Sequence, residues 1–246
     1  MLLPESEEYH LLYTDEFGDD VGLDEVQLLD PPLEERVPKL CEMLNSSNAY
    51  LSYQSALVLT AWGKDIGLNK VAQFIDTEVV STFEFSPHRI TDEDNVYDDL
   101  SYAIYLYGLS GGDRDKMLEV FKKILAIYPK YFFESKLKHG LIKTEFVELT
   151  FPIEKAIKET LLKGRIYQAS QLLPVLAKLN PKKGWEMISN FTCFFRVEPD
   201  PIINVTEALK YCSSKESINL LKQYSSSDSS IIADEAKKSL SYLLMN

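Results

Sequence analysis

The sequence predicts an all-α fold, and three observations support this prediction. Capped amphipathic segments recur along the chain, one pair of segments repeats after 47 residues, and strand-like alternation is rare. Helical pairs that repeat every 40 to 47 residues or so are typical of α-solenoids. We therefore expect an α-solenoid over residues 33–246, preceded by an acidic, aromatic-bearing segment over residues 1–32.

The first strongly periodic segment is PLEERVPKLCEML, where four apolar side chains at steps of four, three and four form one helical stripe: Leu33, Val37, Leu40 and Leu44. Asp30 is expected to cap this helix, because aspartate accepts hydrogen bonds from the first free N–H groups. Pro38 either kinks the helix or marks its true start, since proline lacks the N–H that an inner helical position requires.

The repeat begins with residues 56–75, ALVLTAWGKDIGLNKVAQFI. They align without a gap on residues 103–122, AIYLYGLSGGDRDKMLEVFK. Both segments consist of an apolar stretch, a glycine-containing turn and a second apolar stretch. Each is predicted to be a helical hairpin, and the turn at residues 110–114 is expected to need a positive φ rather than to bind phosphate.

The downstream segments also favour helices. Residues 115–129 are periodic and stop at Pro129, residues 152–164 run from proline to glycine, and residues 165–191 predict a helix, a turn and a helix. Pro174 is expected to bend the first helix of that pair. Residues 144–151, TEFVELTF, are rich in strand-forming residues and are the main challenge to an all-helical interpretation.

The charge distribution is strongly uneven. Residues 1–35 contain twelve acids and no Lys or Arg, so the rest of the chain holds 38 − 12 = 26 acids against 26 bases. Residues 1–35 therefore carry the whole net charge of −12. Repulsion among like charges disfavours compaction, which suggests that the concentration of acids serves a partner.

No residue pattern specifies a reaction, a metal or a cofactor, so we expect the protein not to be an enzyme. The three histidines and three cysteines are widely spaced. DEDNVYDD at residues 92–99 fails as a calcium loop, because its glycine position holds Tyr97 and its glutamate position Ala103. It is interpreted as a solvated loop followed by a helix from Val96, with Asp98 and Asp99 in the first turn.

Composition also argues against two classes of partner. A nucleic-acid binder of this size normally has a basic face, whereas the body of this chain is balanced in charge and its N-terminal segment is acidic.

The apolar runs are shorter than the roughly 18 residues of a membrane span. The opening residues have no basic signal region, so a cytoplasmic location is expected.

The residues LVLTAWGKD (57–65) and IYLYGLSGGDR (104–114) resemble HEAT repeats, whose hairpins often carry an apolar stretch that ends in Gly and Asp. Acidic bias, length and degenerate repeats together resemble those of bacterial immunity proteins. This resemblance implies an antitoxin that binds a basic toxin domain, such as a nuclease, and occludes its active site. The expected contact residues are Tyr13, Glu16, Phe17, Asp19, Asp20, Asp24 and Glu25, with Asp92, Glu93 and Asp94 as a second edge.

Two alternatives remain open at this point. The first is a HEAT-like scaffold or adaptor protein with no toxin partner, and the second is an enzyme subunit of lyase or hydrolase type. The aromatic residues of the N-terminal segment have two interpretations as well: they dock that segment onto the first helical pair, or they anchor a partner.

Overall fold

The computed structural model describes residues 3–81, 85, 93–194 and 198–245. These residues form helices and no β-strand, so the all-α prediction is confirmed. The α-helices are α1 Glu7–Tyr13, α2 Leu23–Gln27, α3 Val37–Met43, α4 Ala49–Ala61, α5 Asp65–Asp76, α6 Val96–Leu109, α7 Arg114–Ile127, α8 Lys136–Thr144, α9 Thr150–Leu162, α10 Ile166–Gln171, α11 Leu173–Leu179, α12 Pro181–Ile188, α13 Ile202–Leu209, α14 Lys215–Tyr224 and α15 Ser230–Met245. Short 3-10 helices lie at Glu34–Arg36, Val79–Ser81, Val147–Leu149 and Thr192–Phe194.

The chain divides into two compact units, residues 1–127 with 131–140 and residues 128–130 with 141–246. In the first unit, α4 is the central helix and packs against α1, α2, α3, α5 and α6. All its residues from Ser52 to Ala61 are buried. A helix enclosed on every side needs apolar residues around its whole circumference, which explains the continuous apolar run that begins the repeat.

The two repeated segments form the hairpins α4–α5 and α6–α7, as predicted. Gly63 and Gly111 in their turns have φ of +72° and +80°, a conformation that side chains with a Cβ rarely adopt. The turns are bonded to each other: Ser110 Oγ donates to the Ala61 carbonyl at 2.6 Å, and Tyr107 Oη donates to Asp65 Oδ1 at 2.5 Å. Equivalent turns of neighbouring hairpins therefore support one another.

The prediction that Asp30 caps the first periodic helix is wrong. The 3-10 helix Glu34–Arg36 comes first, and α3 begins at Val37 with Pro38 in its first turn. A proline ring is accommodated there because the first N–H groups of a helix have no intrahelical acceptor. Pro38 thus marks the true start of the helix, one of the two outcomes that its position allowed.

The interpretation of residues 92–99 is half right. Helix α6 begins at Val96 with Asp98 in its first turn, as expected, but Asp94 in the preceding loop is buried rather than solvated, and Asp98 is fully buried. Its carboxylate accepts the backbone N–H groups of Ser135, Lys136 and Leu137 at 2.9 to 3.0 Å. Asp98 therefore caps α8 from a distant part of the sequence, a role that its local sequence cannot reveal.

In the second unit, α11 packs against α9, α10, α12 and α13. Pro174 lies at the start of α11 and separates it from α10, in agreement with the predicted bend. Asn180 caps α12 by accepting the Lys183 N–H at 3.1 Å. Residues 144–151, where a strand was the strongest alternative, instead form the end of α8, a 3-10 turn and the start of α9.

Among the residues that the structure describes, no helix is both long and apolar enough to cross a membrane.

Trp62 connects the central hairpin to the N-terminal segment. Its side chain is 3% exposed, and its Nε1 donates to the Val26 carbonyl at 2.9 Å. We expect Trp62→Ala to lower the free energy of unfolding by about 3 to 5 kcal/mol, because removal of a buried indole leaves a large cavity. Trp62→Phe should lose about 1 kcal/mol through the missing hydrogen bond.

Urea denaturation followed by circular dichroism measures both changes. Trp185→Ala, at a half-buried position in the second unit, is the comparison variant and should lose less stability than Trp62→Ala. A Trp62→Ala variant as stable as the parent protein would contradict this assignment.

Candidate binding surface and cleft

The acidic segment folds into a tight loop between α1 and α2. Asp15 Oδ1 accepts the backbone N–H groups of Phe17 and Asp19, both at 2.9 Å, and Thr14 and Asp20 form an isolated antiparallel bridge. Gly18 supplies the positive φ that this turn requires. The loop leaves Phe17 82% exposed at its tip. We call residues 15–22 the acidic loop.

Arg36 fixes the acidic loop to the end of α1. Its guanidinium donates to the carbonyls of His10 and Leu11 at 3.1 and 3.3 Å, and to those of Thr14 and Asp15 at 2.7 Å each. The last carbonyls of a helix have no intrahelical donor and carry the negative end of its dipole, so they favour a cation. Arg36 is also the first Lys or Arg in the chain.

Among the twelve acids of residues 1–35, two groups are relevant to binding. Glu7 pairs with Lys39, Glu34 pairs with Lys64, and Asp20 accepts the Tyr9 hydroxyl. A second group is exposed and forms no salt bridge with any residue in the described ranges: Glu16, Asp19, Asp24 and Glu25. The negative potential of this second group is therefore directed at the solvent.

A cleft of about 620 Å³ lies between α2, α4, α6 and the start of α8. Its principal lining side chains are Tyr13, Asp24, Glu25, Tyr50, Tyr53, Gln54, Asn95, Asp99, Tyr102 and Lys136. Sites of this size with aromatic walls and convergent polar groups are typical of ligand-binding pockets. We call this site the tyrosine cleft.

A hydrogen-bonded network organises the tyrosine cleft. Asp99 accepts from the Tyr53 hydroxyl at 3.0 Å and from Lys136 Nζ at 2.7 Å. Lys136 Nζ also lies 5.8 Å from the centre of the Tyr102 ring, within range of a cation–π contact. Burial opposes the charge on Lys136, but Asp99 and Asp24 raise its pKa above the ordinary lysine value. The cleft therefore already holds one ammonium group between carboxylates and an aromatic face.

The hydroxyls of Tyr50 and Tyr53 in the cleft are neutral at physiological pH, because the pKa of each is raised. Burial, together with Tyr13 and Asp99, raises the pKa of Tyr50 to about 12. Burial and the neighbouring Asp99 raise the pKa of Tyr53 well above its usual value. These groups act as hydrogen-bond donors and acceptors and not as bases, which suits recognition better than proton abstraction.

Two residues that line the cleft, Gln54 and Asn95, each have a buried side-chain oxygen without a hydrogen-bond partner among the described residues. Gln54 is 1% exposed, and its Nε2 is committed to the Tyr13 hydroxyl. A buried polar atom without a partner costs about 1 to 3 kcal/mol, so a side-chain movement that gives either oxygen a hydrogen bond would be favourable.

The structure separates the residues that the sequence suggested as contacts. Tyr13, Asp24 and Glu25 line the tyrosine cleft, whereas Glu16, Phe17, Asp19 and Asp20 belong to the acidic loop. Asp94 is buried, and its carboxylate accepts the backbone N–H groups of Phe85 and Val96. Glu93 is half-buried, and Asp92 lies outside the described residues.

The aromatic residues of the N-terminal segment were expected either to dock the segment or to contact a partner, and the structure contains one residue suited to each role. Tyr13 stacks on Tyr9 with ring centres 4.9 Å apart and accepts from Gln54 on α4, so it docks the segment. Phe17, at the exposed tip of the loop, is available to a partner.

Sequence reasoning missed most of the cleft. The sequence of α4 is largely apolar, so its pattern indicates buried core positions for Tyr50, Tyr53 and Gln54. Asp99 is expected only to stabilise the N-terminus of α6 through the helix dipole. Lys136 belongs to the densest basic stretch of the sequence, but in the structure it pairs with Asp99. The available signal was the clustering of tyrosines at Tyr50 and Tyr53.

Metal chemistry finds no support in the described part of the chain, where no group of three or more His, Cys, Asp or Glu side chains could hold a metal ion. His139 lies edge-on to Tyr105, with ring centres 5.4 Å apart, and His10 is exposed. His88 lies outside the described residues.

Comparison with known proteins leaves the family open. No protein-family model and no curated protein matches the chain. One solved structure, the crystal structure of an engineered protein, matches at 14% identity and a TM-score of 0.40, over 85% of this chain and 99% of that one. A likeness this distant carries no functional argument, so the function is argued below from the site.

Arg36 should be essential for the stability of the acidic loop. We expect Arg36→Met to lower the free energy of unfolding by about 2 to 3 kcal/mol, because carbonyls at the end of α1 lose a charged donor. Arg36→Lys should lose less, since an ammonium keeps the charge but lacks the planar fork. Urea denaturation of each variant measures the loss.

Lys155→Met is the control, because it removes an exposed cation whose i,i+4 partner Glu159 is worth about 0.5 kcal/mol or less. Equal stability of Arg36→Met and Lys155→Met would show that the guanidinium contacts contribute little.

Proposed function

We propose that this protein is an immunity protein, an antitoxin that binds a basic toxin domain and occludes its active site. The observation that carries the proposal is the set of exposed acids without cations: Glu16 and Asp19 lie in the acidic loop with the exposed ring of Phe17, and Asp24 and Glu25 line the tyrosine cleft. An aromatic anchor among carboxylates suits a partner of opposite charge.

The arrangement of the segment supports binding more than stability. Arg36 fixes the loop through backbone carbonyls, so holding it requires none of these four carboxylates. A preordered acidic surface steers a basic partner and accelerates association. A nuclease domain is the class of toxin we favour, because its polyanionic substrate requires a basic face.

The finer architecture and location belong to this proposal. We propose that the hairpins α4–α5 and α6–α7 are HEAT-like repeats of an α-solenoid, a fold that presents extended binding surfaces. We also propose a cytoplasmic location, where an antitoxin would meet an imported toxin domain. The protein acts by binding, without a cofactor and without catalysis of its own.

The direct test is co-expression with the reading frame that lies beside its gene. We expect a stable complex with a basic polypeptide, whose cleavage of plasmid DNA or of RNA is lost in the complex and restored on dissociation. An adjacent product that does not bind, or that stays active when bound, would overturn the proposal in favour of a scaffold or adaptor.

The acidic surface should control association. In the triple variant Glu16→Gln, Asp19→Asn, Glu25→Gln, we expect an association rate at least about tenfold lower at low salt and a shallower dependence on salt concentration. Stability should change by about 0.5 kcal/mol or less, because these side chains are exposed. Stopped-flow fluorescence against salt concentration measures the rates.

The matched control is the triple variant Glu148→Gln, Glu186→Gln, Glu216→Gln, which makes the same charge change at exposed positions of the second unit. Its association rate should stay within about twofold of the parent, because the local field of the contact surface, and not net charge, steers association. Equal rates for both triple variants would mean that net charge acts, and not this surface.

A further inference from the structure

The side chains that line the tyrosine cleft carry an excess of negative charge. Asp24, Glu25 and Asp99 contribute three carboxylates, and Lys136 contributes one ammonium group. Two negative charges therefore remain. Asp24 and Glu25 are exposed at the edge of the cleft, where a cation from solution can reach them.

The way in which the cleft holds Lys136 shows what kind of group it stabilises. That ammonium lies against the carboxylate of Asp99 and the face of Tyr102. Tyr50 and Tyr13 present similar rings beside Asp24 and Glu25, and Tyr50 is 40% exposed. An acid next to an accessible aromatic face suits a second cation, since both attract positive charge.

The buried oxygen of Gln54 supplies an observation independent of charge. Gln54 and Asn95 both line the cleft, and Gln54 Oε1 and Asn95 Oδ1 are buried without a hydrogen-bond partner among the described residues. Both atoms accept hydrogen bonds, and each gains a partner when its side chain turns toward an occupant of the cleft that carries several donors. A guanidinium group has five N–H donors in one plane, stacks on aromatic rings and is more weakly hydrated than an ammonium.

We propose that the tyrosine cleft is a receptor for an arginine side chain presented by a polypeptide, held by Asp24 and Glu25, stacked on the tyrosine rings and bonded to the Gln54 oxygen. This assignment rests on the proposed function in that the polypeptide is the basic partner, and it gives that partner an anchor separate from the acidic loop. Arginine is enriched among the residues that dominate binding energy at interfaces.

The test uses the full chain and the peptide acetyl-Gly-Arg-Gly-amide, followed by ¹⁵N–¹H NMR. We expect saturable shifts of the amide signals of residues 22–25 and 50–54 and of the Gln54 side-chain amide, with a Kd on the order of 1 mM. The same peptide with citrulline, which keeps the shape but lacks the charge, should bind at least about tenfold more weakly. The lysine peptide should fall between the two.

Two variants localise the site. Asp24→Asn, Glu25→Gln should weaken the arginine peptide about three- to tenfold, whereas Glu16→Gln, Asp19→Asn makes the same charge change on the acidic loop and should stay within about twofold.

Equal binding of the arginine and citrulline peptides, or shifts confined to the acidic loop, would overturn the assignment. So would the absence of any shift at 20 or so times the expected Kd. These outcomes do not affect the result expected from the co-expression test, because that test depends on the whole partner. Conversely, arginine binding in the cleft together with a failed co-expression test would refute the nuclease antitoxin and keep the arginine receptor.

Discussion

The guanidinium group of Arg36 holds the acidic N-terminal residues in place despite the repulsion among their carboxylates. Thirty-five residues with twelve acids and no Lys or Arg have to fold against a body of balanced charge, and repulsion among the acids opposes this. Arg36, the first Lys or Arg, contacts four backbone carbonyls at the end of α1, where the helix dipole is negative. Since the contact uses the backbone, the acidic side chains remain available for other partners.

The position of the tyrosine cleft depends on this anchor. Tyr13 lies between the residues whose carbonyls Arg36 contacts, and it accepts a hydrogen bond from Gln54 on the central helix α4. Trp62 fixes the other side of the segment by bonding to the Val26 carbonyl. Asp24 and Glu25, between these two attachments, are thereby placed beside Tyr50 and Tyr53. Fold stability and the chemistry of the cleft therefore depend on the same few contacts.

The sequence predicted those features that local physics determines. Helical stripes, the 47-residue repeat, the glycine turns and the break at Pro174 all follow from interactions within a few residues, and each is present in the structure. Features that depend on contacts between distant segments could not be predicted from the sequence. Asp98 caps a helix that begins almost forty residues later, and Lys136, in a basic stretch, pairs with Asp99. Three residues of the cleft, Tyr13, Asp24 and Glu25, were found through charge and aromatic content, whereas those on α4 and α6 were hidden among core residues.

Hydrogen–deuterium exchange of the full chain tests most directly whether the acidic loop is ordered before any partner binds. The N–H groups of Val21 and Gly22 donate to the Tyr13 carbonyl at 2.9 and 3.1 Å, and those of Phe17 and Asp19 donate to Asp15. We expect these four amides to exchange at least about a hundredfold more slowly than in an unstructured peptide, because opening the loop breaks the Arg36 contacts at a cost of roughly 3 kcal/mol or more. Exchange of residues 15–22 at the rate of an unstructured peptide, with α4 still protected, would contradict the account, because the acids would then form a flexible arm and not a prearranged surface.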